Sequence, residues 1–488
     1  MPPVAATSLL PSVCQENFNP MNRSIFQRNR IMKLRFLFTL FLAAWICQGL
    51  PAAQVKSISQ HGITWAFDKA VESGQFCNGD YWVIGPVKVV EISTDLHAPG
   101  FTPKPGEDGS MLNPGTDSKQ GYDSRIASYD ASLNAGLPGG KPLSAQNPLL
   151  LPVNSSLVSM VSWLYRSPDD TEPGTPKFNG QTKAPRPVTR SGAVLTVLPQ
   201  APPEGSFRPP YTGTDKTIKF RLADLDRSKL KNLAPVAESP NTAVLVEKFS
   251  RPWIDHVYEF LGAMIHPSEN MPNYGRDMAS QINDAILALN LDFAQLPSAP
   301  NKDDLLIPMV QLGIDLTGIA DNGGGWPANG GHHQGRKLPI LFAGLLLNDE
   351  HMKNAGKWET RFQDDEQTFI VSQAEVEKSH SAQWDPDPRG GTPEPYTEKD
   401  IGMAEWGIRH AKKPENDNKL WTTSYRSINN ANIVSVVLNA RILGLEEAWN
   451  HPPLFAYADR IITENLDEGS NSPSPFVMAM WKQYSPKP

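Results

Sequence analysis

Cysteine is almost missing from this chain: three in 488 residues, at positions 14, 47 and 77. Cys14 and Cys47 lie in or before a segment that reads as an export signal, which leaves only Cys77 in the mature protein. A single thiol closes no internal disulfide, so an exported protein of this kind is held by its cores. A basic excess is missing too. Lys and Arg number 45 against 52 Asp and Glu, a formal net charge of −7, which argues against a general nucleic-acid or membrane-surface binder. It leaves room for a polyanionic substrate held by a local cluster of arginines. HExxH is absent, and no spaced Cys or Asp accompanies the histidine pair at 332 and 333, so no metal or other cofactor is expected.

The run Phe36 to Cys47 is apolar but too short for a comfortable membrane span. Met32-Lys-Leu-Arg35 precedes it and the small residues of Gly49-Leu-Pro-Ala-Ala53 come after it, the order of a secretory signal peptide. Residues 1–53 are therefore expected to be a targeting segment with its true start at Met32 and cleavage between Gly49 and Ala53. Secretion or export to a periplasm is then expected, with no stable membrane insertion.

The rest is long enough to suggest two domains. From 54 to 240 the signals are strands and turns. Gly62-Ile-Thr-Trp-Ala-Phe67 and Tyr81 to Ile92 are β-branched and aromatic, as are Ser156 to Tyr165 and Ala193 to Leu198. Gly100 to Pro148, rich in glycine, proline, serine and aspartate, reads as long loops. A β-sandwich-like domain is the expectation. From 241 to 488 the period becomes helical over Phe249–Met264, Gly275–Leu291, Leu305–Ile319, Lys337–Leu347 and Asn430–Leu443. Helices of similar length joined by polar, aromatic loops predict an α/α toroid of helical hairpins, giving an α+β multidomain class.

The segment that stands out is Asn322-Gly-Gly-Gly-Trp-Pro-Ala-Asn-Gly-Gly-His-His-Gln-Gly-Arg-Lys337. So much glycine and proline precludes a regular element, yet the loop carries two histidines, two asparagines and two cations at the mouth of an apolar helix. Two further loops carry reactive side chains. Trp384 to Tyr396 holds Arg389 and Tyr396 in a stiff Pro/Gly frame, and Trp421 to Asn430 holds Tyr425 and Arg426.

An amide, an imidazole, a guanidinium and a phenol suit β-elimination on a 4-linked uronic acid. The C5 proton is not acidic while the adjacent carboxylate stays charged. Arg and Asn donors neutralise that carboxylate, a His or Tyr takes the proton, and Tyr returns one to O4. Asn329, His332, His333, Arg389 and Tyr396 are the catalytic candidates. Asn322, Trp326, Arg336, Tyr425 and Arg426 are the substrate-binding ones.

In the order Asn329, His332-His333, Arg389, Tyr396 the chain resembles the α/α-toroid polysaccharide lyases, alginate lyases among them, and most of all polysaccharide lyase family 38. The resemblance covers mainly residues 240–450. It implies a toroid, an Asn/His/Arg/Tyr quartet, and alginate or glucuronan as substrate. The chain departs from the pattern at Gly330-Gly331, between Asn and His, and in its second histidine. Which imidazole acts, and whether Asn329 or Asn322 is the amide, stays open, and Tyr425 next to Arg426 competes with Tyr396. Each of these residues could instead serve packing. A glycoside hydrolase would use two of Asp385, Asp387, Glu394 and Glu405. A non-catalytic carbohydrate-binding surface protein is the third class.

Overall fold

The computed structural model describes residues 53–167, 169–179, 184–257, 259–296, 299–381, 385–386, 394–407, 419–420, 423–466 and 472–485. Residues 1–52 of the expected signal segment, Arg389, Trp384, Asp387 and Trp421 lie outside them, as do the side chains of Asp385 and Tyr425.

Eight strands of one sheet precede the helices: β1 (Ala53–Gln60), β2 (Ile63–Gln75), β3 (Tyr81–Ile84), β4 (Val87–Thr94), β5 (Ser110–Leu112), β6 (Leu149–Leu151), β7 (Ser155–Ser162) and β8 (Thr189–Leu198). Tyr81 to Ile92, which reads as one strand in the sequence, is two, parted at Gly85-Pro86 because proline brings no N–H to a ladder.

The β-sandwich expectation is overturned. All eight strands belong to one mixed sheet, ordered β5-β7-β8-β3-β2-β4-β6 with β1 on β2. The cause is the long strand β2. Its first half pairs β4 (Ile63 with Thr94), its last residues pair β3 (Gln75 with Tyr81), and a register shift at Ala66/Phe67 lies between. One strand thus joins what alternation alone would assign to two sheets. The inner strands are buried on both faces. Leu157 and Val161 of β7 and Ala193, Leu195 and Val197 of β8 join a sheet-side core with Trp65. The alternate residues Val158, Met160 and Val194 join the main core with the helices. This is the two-residue period of a strand covered on each side.

Among the described residues, seven helices of eight or more residues come next: α1 (Thr242–Phe249), α2 (Gly275–Leu289), α3 (Asp303–Asp321), α4 (Lys337–Leu347), α5 (Thr423–Leu443), α6 (Pro452–Glu464) and α7 (Pro475–Tyr484). The spans read from the sequence around α2, α3, α4 and α5 agree within a few residues, apart from an earlier start to α5. Phe249–Met264 does not: helix ends at Phe249 and the chain runs without regular structure through Val257. Pro252 lacks the N–H that a continuing helix would use.

The toroid expectation is overturned as well. After α4, buried at every position except Leu345, the described residues make short helical pieces and two small strand pairs, Thr368–Ile370 with Ala404–Trp406 (antiparallel) and Asp385–Pro386 with Lys419–Leu420 (parallel), before α5. Among the described residues the helical hairpins a toroid requires do not recur there. The apolar period located α2, α3, α4 and α5 but carried no information about whether consecutive helices pair. Fully buried Arg208 ties sheet to helices, its Nε 2.6 Å from Asp80 Oδ2 and its Nη atoms 2.9 and 2.6 Å from the Asp315 carboxylate of α3. Among the described residues no helix is long and apolar enough to cross a membrane.

Candidate active site

The glycine-rich loop lies against the start of α2. A Cβ on Gly275 would sit 1.8 Å from the His332 carbonyl oxygen, so only glycine lets the loop seat there. The preceding residue, Tyr274, is thereby carried to His332: their rings meet edge to face at 4.5 Å. A Cβ on Gly331 would fall 2.6 Å from the Tyr274 hydroxyl. Phe260 also meets the His332 ring edge to face, at 5.2 Å. Arg186, directly after the short strand Ala184–Pro185, lies over Phe260 at 4.8 Å and Tyr274 at 5.9 Å. The Asn273 amide donates to its backbone carbonyl (2.9 Å) and fixes this approach.

Two features of this group point to chemistry. Arg186 is half-buried, its guanidinium forms no ion pair or hydrogen bond among the described residues, and its Nε is buried without a partner. Burial pulls its pKa down, opposed by Tyr274 and Asp277, yet an arginine stays charged at neutral pH. A desolvated guanidinium of this kind is poised for an anion. His332 is the second feature. Its pKa falls to about 3 through burial, with Arg186, His333, His266 and Arg336 adding repulsion. The imidazole is neutral, Nδ1 is buried without a partner, and no ring nitrogen is engaged among the described residues. A neutral imidazole, a phenol and a guanidinium unpaired among the described residues therefore share one place.

His333 points elsewhere. It is buried, with Nδ1 2.7 Å from the Pro327 carbonyl and its N–H donating to Gln363 Oε1 at 3.0 Å. Of the open pair, His332 is the one beside the phenol and the guanidinium. Asn329 is half-buried in the same turn, and its carbonyl accepts from the His332 N–H at 3.0 Å.

The remaining candidates face inward or lie apart. Arg336 is 1 % exposed and all its donors are engaged: Asp255 (Nε to Oδ2, 2.9 Å), the Gln334 and Gly275 carbonyls, and Met278 Sδ. Trp326 is buried, donates to Asp255 (3.0 Å) and stacks on Phe362. Burial alone would push the Asp255 carboxyl up, but the Arg336 guanidinium and the His266 hydrogen bond hold it well below the usual range. Arg336, Trp326 and Asp255 form a buried tie under the loop, not a surface offered to sugar. Lys337 is likewise buried on Asp365 and the Trp449 carbonyl. Asn322 ends α3, its amide donating to the Gly318 carbonyl. Arg426 is buried against Glu405, which Arg460 also bonds, so Glu405 is committed as well. Tyr396 is 5 % exposed in a satellite cluster with Val371, Val376, Phe369 and Met403, which contains no residue of the glycine loop.

Comparison with known proteins gives no lead. No family model, curated protein or solved structure matches the chain.

Arg186, Phe260 and Tyr274 escape a sequence reading. The one local cue is Tyr274-Gly275, an aromatic next to a glycine at a helix start. Among the described residues no cluster of His, Cys, Asp and Glu could hold a metal ion.

Under the loop, Asp364 gives an expected pH response. Burial pushes its carboxyl up to about 7, against the Gly335 N–H it accepts at 2.8 Å. In an unfolded chain it titrates near 3.9. Between those values the folded state keeps a proton that the unfolded state has lost. Stability therefore falls as pH rises from about 4 to about 7, by up to about 1.4 kcal/mol per pH unit for one proton. Asp284, also raised to about 7, has the same sign. His256, lowered to about 4, and His332 have the opposite sign below 6.5. Asp364→Asn keeps an acceptor for Gly335 and removes one titration, so in urea unfolding it should gain on wild type as pH rises through this window. Parallel curves would remove Asp364 from the account.

Proposed function

We propose that this protein is an exported polysaccharide lyase that cleaves a 4-linked uronic-acid chain by β-elimination. The observation that carries the reading is the guanidinium of Arg186, unpaired among the described residues, beside the neutral imidazole of His332 and the phenol of Tyr274. Arg186 pairs with the uronate carboxylate through its fork of donors, and the half-buried Asn329 amide assists. The carboxylate's charge is thereby countered, so negative charge can develop as C5 loses its proton. His332, uncharged, takes the C5 proton on a ring nitrogen. The C4–O4 bond breaks, its electron pair leaving on O4, and C4=C5 forms. Tyr274 protonates O4. Alginate and glucuronan are the substrates implied by the family resemblance.

The test is absorbance. Elimination leaves an unsaturated uronate that absorbs in the near ultraviolet, and hydrolysis does not. Incubation with alginate, glucuronan and glycosaminoglycans should give rising absorbance on at least one. New reducing ends without absorbance would mean a hydrolase, and binding without cleavage a carbohydrate-binding protein. Export is tested separately: the mature N-terminus should fall between Leu50 and Lys56 by mass spectrometry. A mature protein that retains Phe36 to Cys47 would overturn it.

A further inference from the structure

We infer that Gln363 is a positioning residue for this site, holding the turn that presents His332. The inference rests on the lyase reading for what His332 does, but its own basis is the hydrogen bonding of the loop.

Loop 326–335 is largely buried and makes few backbone bonds of its own, the His332 N–H to the Asn329 carbonyl among them. Gly330 and Gly335 take φ of +59° and +82°, outside any regular ladder. Buried backbone groups need partners, and here side chains provide them. They come from one short stretch, helix Gln363–Glu366 and the residue after it. Glu366 Oε2 accepts from the Ala328 N–H (2.6 Å), and Asp364 Oδ2 from the Gly335 N–H (2.8 Å). Gln367 Nε2 donates to the Gly330 carbonyl (2.8 Å). Gln363, with no exposed surface, occupies the centre. Its Oε1 accepts from the N–H groups of Asn329 (3.1 Å) and His333 (3.0 Å), and its Nε2 donates to the Gly330 carbonyl (3.0 Å). Those three groups bracket His332 on both sides. An amide side chain combines an acceptor with two lone pairs and a donor, which this turn requires. The backbone on either side of His332 is thus held by Gln363, while the His332 ring meets Phe260 and Tyr274.

The test reads the imidazole itself. In the full chain the His332 ring is followed by NMR through a pH titration, and kcat and KM are measured on the polyuronate cleaved. In wild type the ring should stay neutral to below about pH 4, in keeping with its burial. Gln363→Ala frees the N–H groups of Asn329 and His333 and leaves the Gly330 carbonyl to Gln367 alone. Water should reach the ring, its midpoint should climb toward about 6.5, and kcat should fall about 10²-fold with a smaller change in KM, as for misplaced catalytic groups. Gln367→Ala should shift both in the same direction by less.

The charged and titratable groups around the ring and under the loop include Arg186, Arg276, Asp277, Asp255, Arg336, Lys337, His266, His333, Arg361, Asp364, Asp365 and Glu366. Because Asp364 adjoins Gln363 and titrates near 7, the comparison is repeated in Asp364→Asn. An unchanged His332 midpoint in Gln363→Ala overturns the inference. Should that variant not fold, Gln363→Glu decides. It keeps the acceptor and sets an oxygen against the Gly330 carbonyl, so unchanged midpoint and kcat overturn the inference there. A shifted midpoint with no unsaturated product from wild type would sink the lyase reading and leave the positioning role standing.

Discussion

Arg186→Ala should remove most of the elimination activity while leaving the fold intact. The guanidinium forms no ion pair among the described residues, and its contacts there are with the faces of Phe260 and Tyr274. Truncation therefore strands no buried carboxylate, the usual source of a severe loss on deleting a buried charge. The variant loses the group that answers the substrate's carboxylate as charge develops at C5. By analogy with a lost oxyanion donor, kcat/KM should fall about 10²- to 10³-fold, or roughly 3–4 kcal/mol of transition-state stabilisation. Arg186→Lys keeps the charge but not the planar fork or its stacking on the rings, so it should recover only part of the loss. Rates on the cleaved glycan, set beside thermal melts, check both claims. Wild-type turnover by the alanine variant on every acidic glycan cleaved would take Arg186 out of the site.

How far this site could be read from the sequence depends on the range of the interactions that make it. The glycine-rich loop was legible because its chemistry is local: glycines, adjacent imidazoles and an apolar helix directly behind. The loop's residue types were legible, but their uses were not. Arg336 and Trp326 looked like sugar contacts, and both turn inward to Asp255, a residue in a stretch that reads as helix and is not. Composition cannot distinguish a polar side chain facing substrate from one tying a loop to the core. Arg186 and Tyr274 come from segments far from the histidines in sequence, brought together by tertiary packing through Gly275 and the Asn273 hydrogen bond.

The fold divides similarly. Strand and helix periods located most elements, because alternation and the three- to four-residue repeat report local burial. Architecture needed more. A single sheet arises because β2 is thirteen residues long and changes partner along its length. The toroid fails because, between α4 and α5, the described residues make short helical pieces and two strand pairs rather than hairpins. Pairing choices of this sort are set by partners distant in sequence, and a period carries no record of them.

Tyr274→Phe, His332→Ala and Tyr396→Phe together test the reassigned phenol and imidazole. Tyr274→Phe removes only a hydroxyl from a half-buried ring that keeps its contact with His332, so folding should survive. Turnover should drop about 10²-fold or more, the scale of a lost general acid. Tyr396 sits in its own apolar cluster, and Tyr396→Phe should stay near wild type. His332→Ala should be at least as damaging as Tyr274→Phe, because it deletes the base. The pH dependence then separates this site from a solvated histidine. With a folded pKa of about 3, His332 is neutral throughout the working range, so the acidic limb of kcat/KM should lie well below the roughly 6.5 of a free imidazole. The sign is fixed: lowering pH toward 3 protonates the base and stops the reaction, and raising it past 6.5 does nothing to this group. An acidic limb near 6.5 in wild type, or a dead Tyr396→Phe beside a fully active Tyr274→Phe, would move the chemistry away from the glycine loop's contact with α2 and toward the loop that carries Tyr396.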